Sequence, residues 1–234
     1  MDNIVKQLSV EQLAGMIDHT FLKPFGTERD IRKLCEEAME YKFAMVAINP
    51  AEVTTCVKLL SGSNVHVGAA IGFPLGQNTV ECKAFETKDA IDKGATEIDT
   101  VINIRALQKG LTDIIKREID DMVAICNPAK VICKVILETC YLTNDEKETV
   151  CRIAKEAGVD FVKTSTGFGS GGATVHDVEL MRRVVGKSIG VKAAGGIRDL
   201  DTALAMIKAG ATRIGTSGSI AIVERFKELK SLIK

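Results

Sequence analysis

The chain alternates between two kinds of segment, and that alternation is the strongest constraint on its fold. Eight short apolar, β-rich runs, at 16–18, 45–48, 65–73, 97–102, 131–137, 159–162, 189–193 and 213–215, are separated by stretches of helical periodicity. The helical stretches cover 28–41, 51–60, 80–93, 112–126, 145–157, 175–185 and 200–208. Strands that read as near-continuous apolar runs are buried on both faces, and strands joined through helices run parallel. An open doubly wound sheet and a closed (β/α)8 barrel both satisfy this pattern. No G-x-G-x-x-G follows the first run, and chemistry-bearing residues end most of the runs rather than two of them. That distribution predicts the closed barrel, whose C-terminal rim collects the ends of all the strands. At 234 residues the chain fits one such TIM barrel, preceded by a short N-terminal helix, as a single domain over 1–234.

Local signals agree with these boundaries. Gly94, Gly158, Gly186 and Gly210 follow the last periodic residue of their segments, as helix C-caps do. Ser9 with Gln12, and Thr143 with Glu146, have the form of capping boxes. The seven cysteines are odd in number and include no C-x-x-C pair, which predicts reduced thiols acting as small buried hydrophobes. Lys plus Arg equals Asp plus Glu at 31 each, so nothing in the charge balance calls for nucleic acid or an anionic membrane as partner. The first six residues have no basic segment leading into an apolar one, and no apolar run reaches membrane length. The expectation is a soluble cytoplasmic protein.

Under the barrel reading the strand ends present Asp18, His19 and Thr20, then Asn49, Gly72 to Pro74, Asp99 with Asn103, and Lys134 with Glu138 and Thr139. They continue with Lys163 and Thr164, Lys192, and finally Gly215 to Ser219. Lys163 stands where an apolar run stops and a chain of hydroxyls and glycines begins; Lys192 repeats the design. A single strand-end lysine can snorkel to solvent, and a single buried charge can be a satisfied ion pair. One acid, Asp99, and three lysines ending parallel strands argue for more. A free lysine near 10.4 must fall roughly three units to be largely neutral at pH 7, about 4–5 kcal/mol. A neighbouring ammonium at ~4 Å supplies about 4 kcal/mol, and partial desolvation adds to it. The product is an amine nucleophile suited to Schiff-base formation with a carbonyl.

Glycines supply a third component. Gly195 and Gly196 follow the seventh run; Ser217, Gly218 and Ser219 follow the eighth and open the last helix. Loops in these positions form the usual phosphate site of such barrels, and Gly167 with Gly169 to Gly172 can add backbone N–H groups. Each glycine alone also reads as an ordinary turn residue; two clusters on adjacent strands favour phosphate. His19 is placed behind the site, His66 and His176 at element starts with structural roles. No His, Asp or Glu cluster has metal-ligand spacing, so neither a metal nor another cofactor is expected.

These elements resemble a known family. The segments Ile17 to Thr20, Ile71 to Gly76, Glu97 to Asp99 with Val101 to Asn103, Lys134 to Thr139, Lys163 to Phe168 and Lys192 to Gly196 are similar to those of 2-deoxyribose-5-phosphate aldolase, over nearly the whole chain. The resemblance implies a class I aldolase interconverting 2-deoxy-D-ribose 5-phosphate with glyceraldehyde 3-phosphate and acetaldehyde, usually in deoxynucleoside catabolism. It implies Lys163 as the Schiff-base lysine, Lys192 as the neighbour lowering its pKa, Asp99 as proton-relay carboxylate with a water, and Lys134 within that relay. It places Gly167, Gly195, Gly196, Ser217 and Gly218 on the phosphate, and Asp18, Thr20 and Thr166 complete the expected substrate-binding set. The expected partners are small phosphosugars and aldehydes, and barrels of this size commonly pair as homodimers. Three departures stand out: Ala47 replaces a usual cysteine, Ala193 and Ala194 vary the glycine-pair element, and no tyrosine lies near Lys234. Proton exchange at the enamine then relies on Asp99, Lys134 and water, or the rate is lower. Two other readings remain at this stage, a phosphosugar isomerase or synthase using acid–base chemistry without a covalent intermediate, and a non-catalytic phosphosugar-binding barrel.

Overall fold

Each of the eight apolar runs forms a strand in the computed structural model, which describes residues 3–233. Met1, Asp2 and Lys234, on which part of the readings of the two chain ends fell, lie outside the described residues. The strands are β1 (Ile17–Thr20), β2 (Met45–Ile48), β3 (His66–Ile71), β4 (Glu97–Val101), β5 (Ile132–Ile136), β6 (Phe161–Lys163), β7 (Gly190–Ala194) and β8 (Arg213–Thr216). They pair in sequence order, all parallel, and β8 returns to β1 to close the barrel. The open-sheet alternative is thereby excluded.

Eleven helices are described: α1 (Asn3–Gln7), α2 (Val10–Ala14), α3 (Glu28–Tyr41), α4 (Val53–Leu59), α5 (Val80–Asp92), α6 (Ile104–Gln108), α7 (Thr112–Ala129), α8 (Asn144–Ala157), α9 (Val175–Val185), α10 (Leu200–Lys208) and α11 (Ser219–Ile233). The single N-terminal helix of the sequence reading is therefore two. The stretch at 51–60 divides, because Pro50 opens a 3-10 turn (Pro50–Glu52) before α4 begins. Helix α6 had no counterpart in the reading; Asn103 caps it by accepting the Ala106 N–H at 3.0 Å. Both expected capping boxes form, and Thr27 with Asp30 adds a third on α3. Two cysteines depart from expectation: Cys82 and Cys140 are exposed, the other five buried.

Alternation along the strands sorts the residues into two layers. On the outer layer Ile98, Val135, Val162, Val191 and Ile214 join the helices in one continuous apolar core. The inner layer of β4, β5 and β7 carries Glu97, Asp99, Lys134 and Lys192, all buried. Register then sets the chemistry, since Asp99 pairs with Lys134 and Lys163 with Lys192 across adjacent strands. Among the described residues no helix is long and apolar enough to cross a membrane.

Candidate active site

Six charged side chains form a closed ring of alternating sign inside the barrel. Glu97 contacts Lys134, whose Nζ lies 2.8 Å from Asp99 Oδ1. Asp99 Oδ2 meets Lys192 Nζ at 2.7 Å, and Lys192 reaches Asp18 Oδ2 at 2.5 Å. Asp18 Oδ1 lies 2.6 Å from Arg213, and Arg213 returns to Glu97 at 3.4 Å. Three carboxylates and three cations, drawn from β1, β4, β5, β7 and β8, thus balance one another. At Asp18, Asp99, Lys134 and Arg213 burial opposes the charge, but the neighbours outweigh it. Asp99, Glu97 and Asp18 hold the Lys134 ammonium above its ordinary range, and Lys134, Lys163 and Lys192 hold the Asp99 carboxyl well below the usual carboxylate range.

Lys163 is the seventh charge, and it has no counter-ion of its own. Its Nζ sits 2.8 Å from Asp99 Oδ2, the oxygen that Lys192 already occupies. Burial is the largest influence and lowers its pKa; Asp99 resists, and the Lys192 and Lys134 ammoniums add to the depression. The result is about 8, against 10.5 for an ordinary lysine. At pH 7 roughly a tenth of the amine is then neutral, about 300-fold more than without the shift. From the sequence alone, the neighbouring ammonium is expected to carry the larger share. The structure reverses that order, because the Lys192 charge is already met by Asp18 and Asp99.

A cavity of about 520 Å³ opens on Lys163 at the C-terminal end of the strands. Its wall includes Thr20, Thr166, Gly167, Gly195, Gly196 and Ser217, with Lys23, Lys33 and Arg198 among the other lining residues. Gly167, Gly195 and Gly196 have φ of 88°, 87° and 78°, a region that disfavours other residues. Among the described residues, their backbone N–H groups and that of Ser217 take no partner within the protein. Gly172 lets the loop after β6 close on the loop after β7, since a Cβ there would fall 2.2 Å from the Gly195 oxygen.

Two expected substrate ligands stand elsewhere. Asp18 is fully buried with its carboxylate committed to Lys192 and Arg213, and it is absent from the cavity wall. Gly218 is also absent from that wall, and it donates its N–H to Thr216 Oγ1 at 2.8 Å. Three participants escaped the sequence reading. Glu97 and Arg213 begin their strands and were taken as boundary residues; their inward parity, Glu97 two residues before Asp99, was the available signal. Glu138 was noted only as a strand end. It is buried in a left-handed conformation, φ 57°, and accepts the Thr166 N–H at 3.2 Å and the Thr166 hydroxyl. Burial raises its pKa.

Comparison with known proteins supplies independent evidence. Residues 13–226 match the DeoC/LacD family of aldolases. A deoxyribose-phosphate aldolase of Bacteroides thetaiotaomicron is 80% identical, the match covering 98% of this chain and 97% of the relative. One of Caldanaerobacter subterraneus subsp. tengcongensis is 54% identical, over 95% and 97% of the two chains. The tetrameric deoxyribose phosphate aldolase from Aeropyrum pernix has a similar solved structure, with TM-score 0.89 and 34% identity over 96% of this chain and 95% of that one. Matched from before the first strand into the last helix in sequence, and over the whole barrel in structure, the chain belongs to the DeoC/LacD aldolase family, alongside the deoxyribose-phosphate aldolases.

Proposed function

We propose that the protein is a class I aldolase that reversibly cleaves 2-deoxy-D-ribose 5-phosphate to D-glyceraldehyde 3-phosphate and acetaldehyde through a Schiff base on Lys163. The observation that carries this reading is the charge count: a neutral ring of six, and one surplus lysine on the cavity wall with its pKa pushed down to about 8.

The neutral amine of Lys163 adds to the C1 carbonyl of the open-chain sugar, giving a carbinolamine. The hydroxyl leaves as water with a proton supplied from the relay around Asp99 and Lys192, and an iminium remains. The 3-hydroxyl then gives up its proton to a water of that relay, and the C2–C3 bond breaks. Its electron pair moves onto C2 and into the iminium, leaving an enamine on Lys163 and releasing glyceraldehyde 3-phosphate. Protonation at C2 regenerates an iminium, which water hydrolyses to acetaldehyde and free Lys163.

The ring suits Asp99 to this work. A carboxylate held well below its usual pKa is a poor resting place for a proton, so Asp99 stays ionised and orients the water that carries the proton. Lys134 keeps Asp99 oriented from the ring side. The phosphate is met by the N–H groups of Gly167, Gly195, Gly196 and Ser217, with Arg198 adding charge on the same wall. Thr20, whose hydroxyl proton goes to the Asp18 carbonyl, offers its oxygen to the sugar as an acceptor, while the Thr166 hydroxyl is held by Glu138 and shapes the wall.

The test is sodium borohydride reduction during turnover of 2-deoxyribose 5-phosphate, followed by peptide mass spectrometry. A reduced adduct on the peptide carrying Lys163 is the expected result. An adduct on Lys192 or Lys134 would move the nucleophile, and turnover without any adduct would remove the covalent mechanism.

A further inference from the structure

At the end of β1 the buried imidazole of His19 bridges two other elements. Its Nε2 lies 2.9 Å from Glu37 Oε2 on α3, and its Nδ1 lies 2.9 Å from Ser219 Oγ at the start of α11. Glu37 Oε1 also lies 3.6 Å from Lys33 Nζ. A carboxylate only accepts hydrogen bonds, and a neutral imidazole has one N–H. The proton therefore sits on Nε2 and points at Glu37, and Nδ1 accepts from the Ser219 hydroxyl. Burial keeps the ring neutral by pushing its pKa below the usual value, against the pull of Glu37.

The contacts continue beyond Ser219. Its hydroxyl also lies 3.1 Å from the Thr216 carbonyl, so its one proton is shared between two acceptors. The Thr216 hydroxyl donates to the Ile197 carbonyl at 2.6 Å and accepts the Gly218 N–H at 2.8 Å. Through Thr216, which uses its carbonyl on one side and its hydroxyl on the other, these contacts link α3 to both loops that carry Gly195, Gly196 and Ser217.

We propose that Glu37, His19 and Ser219 form a positioning relay that fixes the anion-binding loops after β7 and β8, with His19 held as the Nε2–H tautomer. The relay rests on the phosphate placement given above. His19 moves no proton in the reaction. It holds Ser219, and through it Ser217 two residues earlier, where a phosphate dianion meets the free backbone N–H groups. Loosening those donors weakens phosphate binding while leaving the chemistry at Lys163 in place.

The experiment compares His19→Phe, His19→Asn and Ser219→Ala on 2-deoxyribose 5-phosphate and on unphosphorylated 2-deoxyribose, with inorganic phosphate as competing probe. Phenylalanine keeps a ring against Phe43, 5.1 Å away, but loses both hydrogen bonds; asparagine keeps an acceptor near the position of Nδ1. His19→Phe should raise KM for the phosphorylated sugar and the inhibition constant of phosphate about tenfold, with kcat within about twofold and kcat/KM on 2-deoxyribose unchanged. His19→Asn should restore most of the loss, and Ser219→Ala should match His19→Phe without adding to it in the double variant. Nitrogen-15 NMR of the wild-type protein should find the proton on Nε2. Equal losses on both sugars, or a proton on Nδ1, would overturn the relay. Phosphate that competes equally well in wild type and His19→Phe would overturn the relay alone. Phosphate that fails to compete in the wild type would overturn the phosphate placement and the relay together.

Discussion

Lys134 and Lys163 hold the two oxygens of the same carboxylate at the same 2.8 Å, yet their pKa values move in opposite directions. Both are buried, both come from neighbouring strands, and both pay the desolvation of an ammonium. The difference is the number of counter-charges. Lys134 stands between Glu97 and Asp99, whereas Lys163 must share Asp99 Oδ2 with Lys192. A neutral amine inside a charged barrel therefore needs no special apolar pocket. It needs a balanced ring and one lysine too many.

The largest break in this comparison comes from Lys163→Leu. Turnover should fall by about four orders of magnitude or more, as for removal of a nucleophile. Stability should not fall with it. The shift from 10.5 to about 8 corresponds to about 3 kcal/mol of burial cost below pH 8, which leucine removes. The folded-state pKa is the lower one, so the wild type gains stability as pH rises from about 8 to 10.5. Thermal melts should thus show the variant at or above the wild type at pH 7, with the gap closing toward pH 10.5. A variant much less stable at pH 7 would mean that the Lys163 charge is supported rather than surplus.

Lys134→Met tests the other side. It leaves Glu97 and Asp99 each short of a cation inside the barrel, at about 3–5 kcal/mol. A fall in melting temperature of about 10 °C is the expected result. A melting temperature within ~2 °C of wild type would show that the ring is not a balanced unit.

The smallest shift, and the finest test, is that of the pH limb in Lys192→Leu, whatever the ring loses in stability. The acid limb of kcat/KM in the wild type should lie near 8, with activity rising as Lys163 loses its proton. Removing Lys192 removes one of the charges that depress Lys163 and leaves Asp99 Oδ2 to Lys163 alone, so the limb should move up by about one unit. A limb that stays in place would remove Lys192 as a cause and leave burial with Lys134.

The alternation of strand and helix, the barrel and the cluster of Lys163, Lys192, Asp99 and Lys134 were legible in the sequence because each follows from periodicity and strand ends. The ring was not. Asp18 and Arg213 lie 195 residues apart, and only closure of β8 on β1 brings them together. Without that closure Asp18 read as a substrate ligand, and the counter-ions of Lys192 were invisible, which inflated its effect on Lys163. Gly218 was misread for a more local reason: a nearby hydroxyl, Thr216 Oγ1, already takes its N–H. Helix α6 was missed because Asn103, placed among strand-end chemistry, serves as its cap.

The ring also bears on the order in which the chain is made. Synthesis from the N-terminus delivers Asp18, Glu97, Asp99, Lys134 and Lys192 before Arg213, so until β8 emerges three carboxylates face two ring cations. A barrel seven strands long would leave Asp18 and Glu97 without the cation that bridges them, as well as two open edges. Both faults are cured by the same four residues, Arg213–Thr216, and the last strand thereby acts as an electrostatic latch as well as the closing edge of the sheet.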